Sequence, residues 1–185
     1  MFCVAAGDAT RHALKASLAL SRADLEYEFS ALQRAAEAGA PVVPVVPGSL
    51  VHFLDGSGAH RGGGFLLRHV GARAELSSSH SCAGAFAALH ALHAAGFAHG
   101  DARLPNMVRH GSELLWIDMR DAAVDALAAA QRADARTLAA SALRLAQERS
   151  TALPASVESA VWEVPAGGGA AYAALAAAVW AALGH

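Results

Sequence analysis

Charge is scarce in this chain. Asp, Glu, Lys and Arg make up only 16% of its 185 residues, and the formal net charge is -2. Without a basic excess there is no electrostatic footprint for nucleic acid, and without an acidic block there is no solvating tail. Lysine is almost missing: Lys15 is the only one. Cysteine is nearly absent too. Cys3 and Cys82 make neither a metal-binding nor a disulfide pattern by spacing, so they read as free thiols in a reducing compartment. The start, Met1-Phe2-Cys3-Val4, has no basic region and meets Asp8 too early for a signal peptide. The apolar run from Ala170 to Leu183 is too short to span a bilayer and is mostly weakly hydrophobic alanine, so it reads as a packed terminal helix. These absences point to a soluble, cytoplasmic protein with no membrane and no nucleic-acid partner.

Apolar residues, by contrast, make up 55% of the chain, much of it alanine, and the length suffices for one medium domain with a real core. Phe2 to Ala6 and Arg11 to Leu18 read as a hairpin around the turn residues Gly7 to Thr10. Ser21, with Asp24 three residues on, reads as the N-cap of a helix that runs to about Ala38. Three prolines between Pro41 and Pro47 forbid helix and predict an extended connector. Ser49 to Leu54 and Gly64 to Val70 read as strands, joined by a glycine-rich and mobile linker. From about Ser79 to Ala95 the periodicity predicts a helix with Phe86, Leu89 and His93 on one stripe and Leu92 beside it, ended by Gly96. A small hairpin around His110-Gly111-Ser112 follows. Beyond it come helices over Ala122 to Gln131 and Asp134 to about Gln147, an ambiguous stretch Val157 to Val164, and a final helix after Gly167-Gly168-Gly169. Both glycine triplets, Gly62 to Gly64 and Gly167 to Gly169, read as flexible linkers. Strands before Gly71 and helices after it predict an α+β fold of two unequal parts, residues 1–70 and 71–185.

Chemistry concentrates in His99-Gly100-Asp101-Ala102-Arg103-Leu104-Pro105-Asn106 and in Asp118, at the end of an apolar strand-like run. Phosphoryl transfer from a nucleotide needs such groups: a carboxylate to orient and deprotonate a hydroxyl, a cation near the moving group, and oxygen ligands for magnesium. The spacing His-x-Asp-x4-Asn, then a small hairpin, then an aspartate, preceded by a helix ending in Leu92-His93, resembles the protein-kinase-like superfamily. That superfamily spans eukaryotic-type protein kinases and the related aminoglycoside and choline phosphotransferases. The resemblance implies a bilobal fold with a truncated strand-rich N-lobe and a helical C-lobe, with Mg-ATP between them. It makes Asp101 the catalytic base, Asn106 and Asp118 the magnesium ligands, and Arg103 the cation beside the transferring phosphoryl group. Lys15 would hold the nucleotide's α- and β-phosphates. Glu28, on the inward edge of the stripe Leu25, Phe29, Leu32 and Ala36, is a better partner for Lys15 than the outward Glu26. Asp134 would brace the loop around His99, with Leu32 and Met119 completing a packed column.

Two departures from the family stand out. The chain begins where the family's second strand would lie, so the glycine-rich phosphate loop has no counterpart, and the chain reads either as such or as a segment of a longer protein. Asp118-Met119-Arg120 replaces aspartate, phenylalanine and glycine, and Arg120 lacks the glycine's backbone freedom. The resemblance implies an ATP-dependent kinase acting on a hydroxyl, with Ser or Thr on protein preferred. The alternatives are a small-molecule kinase and a pseudokinase that binds nucleotide or acts as a scaffold. A zinc site built on His90, His93, His99 and Asp101 is a distant competitor.

Overall fold

A computed structural model describes the backbone of residues 2–5 and residues 11–68, 71–124, 128–144 and 152–184. The expected turn Gly7 to Thr10 and the expected helix end near Gln147 lie outside the described residues. The fold is α+β, with small antiparallel sheets and four helices among the described residues.

The first sheet has the order β1-β2-β4-β3. It contains β1 (Phe2–Ala5), β2 (Arg11–Ser17), β3 (Val51–Leu54) and β4 (His60–Leu67). The expected linker between the third and fourth strands is shorter than the sequence suggested, and Gly62 to Gly64 are not a mobile link. They lie inside β4, where Gly63 pairs with both Ser17 and His52, and Gly64 with Ala16 and Val51. A Cβ on Gly63 would meet the Val51 carbonyl and come within 2.8 Å of Leu25 Cδ1, and one on Gly64 would lie 2.5 Å from the Lys15 carbonyl. The triplet exists because helix and strands approach the backbone too closely for any side chain.

Helix α1 (Arg22–Glu37) crosses this sheet. Ser21 and Asp24 form a reciprocal capping box that satisfies two of the helix's free N–H groups. The inward face is rotated slightly from the expected stripe. Leu25, Glu28, Ala31, Leu32 and Ala35 are buried, while Phe29 and Ala36 lie at the flank. Burying Leu25 and Leu32 supplies about 2 kcal/mol each. The proline-rich stretch 41–47 is extended, as its composition requires, and it stitches two sheets together. Val42 pairs with Trp116 and Val45 with Leu67.

The second part is built on α2 (Ser79–Ala94), capped by Ser78 and Ser81. Its Phe86, Leu89, Leu92 and His93 are all buried, as the periodicity predicts. A three-stranded sheet, β5-β7-β8, contains the expected hairpin as β7 (Met107–His110) and β8 (Glu113–Trp116), with β5 (Ala72–Arg73) on its edge. The short pair β6 (Phe97–Ala98) and β9 (Ala123–Val124) closes the loop between them. Because Ala123 and Val124 are in a strand, no helix starts at Ala122. A single helix, α3 (Ala128–Ala142), runs without a break through the junction expected near Asp134.

The last helix, α4 (Ala155–Ala182), absorbs the ambiguous stretch Val157 to Val164 and the second glycine triplet. Gly168 leaves helical geometry, at φ 53° and ψ -148°, so α4 is two helices joined at a kink one turn past Pro165, and the final helix follows the triplet as expected, through a kink rather than a flexible linker. By length and composition α4 is long and apolar enough to cross a membrane, although 33% of its apolar window is buried against the rest of the protein. Val157, Val161, Val164, Tyr172, Leu175 and Val179 face the core, packed on α2 and α3. The terminal helix after Gly168 is thus packed, as expected, and a further helix from Ala155 leads into it.

Candidate active site

The expected site residues come from five segments: β2, α1, the loop 99–106, the end of β8 and α3. Lys15 lies on β2, opposite Phe65 of β4. Its ammonium donates to Glu28 of α1 and, at 2.9 Å, to Asp118 just beyond β8. The choice of Glu28 over Glu26 holds in position: Glu28 is fully buried, whereas Glu26 is about half exposed and pairs with Arg22 at 2.8 Å and His52 at 3.4 Å. Burial pushes the Glu28 carboxyl above its usual range, and the Lys15 charge opposes that rise. Its second oxygen, Oε2, is buried without a hydrogen-bond partner, which makes Glu28 dependent on Lys15.

Asp118 adopts left-handed backbone geometry, φ 64° and ψ 57°. Aspartate tolerates this region better than most residues, at a cost of about 1 kcal/mol. Met119 to Asp121 form a short 3-10 turn, with Met119 fully buried beneath α1. Tyr27 of α1 donates its hydroxyl to the Ala122 carbonyl and fastens the helix to this segment.

The loop 99–106 is held by its own polar groups. Asn106, which is buried, donates its amide at 2.9 Å to both the Asp101 carbonyl and Asp101 Oδ2. Arg103 donates to Asp101 Oδ2 at 2.6 Å. Partial burial pushes the Asp101 carboxyl up, but the bonds from Arg103 and Asn106 together outweigh it and hold Asp101 below its usual range. The Ile117 amide donates to the Asn106 carbonyl at 2.9 Å, which sets Asn106 beside the approach to Asp118.

Asp134 braces this loop as the sequence reading requires. It lies in the first half of α3, nearly fully buried, and accepts from the His99 amide at 2.6 Å and the Gly100 amide at 3.0 Å. His99 Nε2 donates to the Ile117 carbonyl at 3.0 Å, and its Nδ1 accepts from the Asp101 amide at 3.3 Å. Burial holds the His99 imidazole below its usual value despite the nearby Asp134 charge. Gly100, at φ 81°, is required by space as well as conformation, because a Cβ there would meet the Asp121 carbonyl. Leu32 and Met119 share the core with these groups.

Two oxygen-bearing side chains, Asn106 and Asp118, would be the ones to hold a magnesium ion here. Asn106 turns its NH2 toward Asp101, so its carbonyl oxygen would be the atom offered to a cation, and Asp118, whose Oδ1 is paired with Lys15, would offer a half-exposed carboxylate. Magnesium commonly takes one or two protein oxygens and completes its shell from phosphate and water. Among the described residues no group of three or more His, Cys, Asp and Glu side chains could hold a metal. The zinc alternative loses its ligands: His93 is committed to Tyr172 and Asp134, and His99 to Ile117.

Three participants escaped the sequence reading: the Ile117 carbonyl, Tyr27 and Tyr172. The chain has two tyrosines, and both use their hydroxyls to tie a helix to this region. That scarcity was the available signal. No protein-family model matches the chain, and no curated protein matches it.

Proposed function

We propose that this chain is a compact protein-kinase-like phosphotransferase, with residues 1–70 as a reduced N-lobe and 71–185 as a helical C-lobe. It transfers the γ-phosphoryl group of Mg-ATP to a hydroxyl, with Ser or Thr on protein as the preferred acceptor. The single observation that carries the reading is the ammonium of Lys15 joining Glu28 to Asp118, residues far apart in sequence, beside the Asp101–Asn106 loop. Pairing with the buried Glu28 alone would serve stability, and it is the second bond, to Asp118 across 103 positions, that supports the reading.

In this reading Asp101 orients the acceptor hydroxyl and takes its proton. Arg103, now paired with Asp101 and about half exposed, has a planar fork suited to phosphoryl oxygens. Lys15 has three donors, and Glu28 and Asp118 use two, which leaves one for a nucleotide phosphate. Asn106 and Asp118 would hold magnesium, which supplies charge neutralisation across the phosphates. Cytoplasmic ATP is the matching nucleotide source, and the buried Cys82, its thiol pushed up to about 11 by burial, is consistent with a reducing compartment.

A second reading, a nucleotide-binding scaffold, needs Lys15, Glu28 and Asp118 but not the carboxylate of Asp101. ATP turnover by wild type and Asp101→Ala separates the two. The enzyme reading requires turnover that the substitution removes while magnesium-dependent ATP binding persists. Equal turnover in both proteins would overturn it. Peptide pools assayed beside aminoglycosides and choline-like amines then identify the acceptor class.

A further inference from the structure

Two features singled out in the sequence have no part in that site: the His90 and His93 pair and the glycines at 167–169. The structure joins them. The kink at Gly168 redirects the second half of α4 so that Tyr172 lies against α2, its ring 5.0 Å from His90 and 5.7 Å from His93. Gly169 sits directly over His90, where an added Cβ would lie 3.4 Å from the imidazole Cε1. Tyr172 is buried, and its hydroxyl is hydrogen-bonded to His93 Nδ1. On the other side of the ring, His93 Nε2 lies 3.0 Å from Asp134 Oδ2.

We propose that Tyr172 is a positioning residue for the catalytic loop, acting through a buried relay from its hydroxyl to His93, to Asp134, to the backbone amides of His99 and Gly100. The inference rests on reading 99–106 as the catalytic loop, and it goes beyond that reading by making the terminal helix part of the loop's support. The direction of the relay follows from donor chemistry. A carboxylate only accepts, so His93 Nε2 must carry a proton toward Asp134. In the neutral imidazole Nδ1 is then the acceptor, and the tyrosine hydroxyl donates to it. Burial, helped by the Asp134 charge, pushes the Tyr172 phenol up and keeps it a donor.

The geometry makes this link consequential. Asp134 Oδ2 is shared between His93 and the His99 amide, while Oδ1 holds the Gly100 amide. Any turn of the carboxylate toward or away from His93 therefore displaces both loop amides, and Asp101 follows directly after them. Without the tyrosine hydroxyl, Nδ1 is left unpaired in a dry site and the imidazole is free to re-tautomerise or turn. Lys15 and Glu28 stand on β2 and α1, off the relay, so the ion pair that holds the ammonium does not depend on it.

The test uses the full chain and Tyr172→Phe, which keeps the ring against both imidazoles and removes only the hydroxyl. Amide hydrogen exchange at His99 and Gly100 is expected to accelerate about tenfold or more, with the amides of α2 unchanged. The kcat for ATP turnover should fall several-fold while KM for ATP stays within about twofold. Unchanged exchange at both amides would overturn the proposal. Nitrogen NMR of wild-type His93 gives an independent check should the variant not fold. A proton on Nε2 with a hydrogen-bonded Nδ1 supports the relay, and a proton on Nδ1 refutes it. Accelerated exchange in a protein that turns over no ATP would refute the phosphotransferase reading and leave the relay standing.

Discussion

The two halves of the candidate site are built in opposite ways. Asp101, Arg103 and Asn106 lie within one loop, and their mutual bonds span at most five positions of sequence. Lys15, Glu28 and Asp118 come from a strand, a helix and the end of a distant hairpin, with Lys15 and Asp118 separated by 103 positions. The first half is a local structure that a short segment dictates. The second exists only when the first sheet, α1 and β8 are all packed. The loop half therefore tolerates loss of a side chain with its fold intact, while the packed half couples chemistry to stability.

Substitutions break this comparison in order of size. Asp101→Ala should lower kcat for ATP turnover by about a thousandfold, with thermal stability almost unchanged. Steady-state kinetics beside a melting curve checks both halves of that statement. Lys15→Ala should do both kinds of damage. It strands a buried Glu28 carboxyl whose Oε2 already has no partner, so we expect a loss of about 3 kcal/mol in denaturant unfolding together with loss of nucleotide binding. Lys15→Ala with Glu28→Gln should recover part of the stability and none of the binding, which separates the buried-charge penalty from the functional role.

Gly100→Ala probes the seam between the halves. Its φ of 81° and the obstructing Asp121 carbonyl predict a cost of about 2 kcal/mol, read as a lower denaturation midpoint. The smallest effect is a pH slope. His99 has its folded value held below the ordinary 6.5 by burial, so on acidification the unfolded chain takes up the proton first. Its contribution to stability is fully present above about pH 6.5 and is lost as pH falls below that value. His99→Phe should lower stability overall yet flatten the slope of melting temperature between pH 6.5 and 5.

Local features were legible in the sequence for the same reason that the loop half is robust. The capping box at Ser21 and Asp24, the helical stripe of α2, and the spacing of Asp101 to Asn106 are set by neighbours a few residues away. Glycine misled the reading twice, because its two uses look alike as letters. Gly62 to Gly64 permit close backbone approach within a sheet, and Gly168 permits a kink, and neither makes a linker. The left-handed turn at Asp118 was invisible for a similar reason: aspartate tolerates that geometry without announcing it. The relay from Tyr172 needs a contact across 79 positions, which no local pattern encodes.

The most direct test of the account is calorimetric titration of the full chain with ATP, with and without magnesium, beside Asp118→Ala. If residues from both halves make one site, wild type binds ATP, removal of magnesium weakens binding at least tenfold, and the substitution weakens it comparably. No binding by the wild-type chain, or binding indifferent to both magnesium and Asp118, would contradict the account.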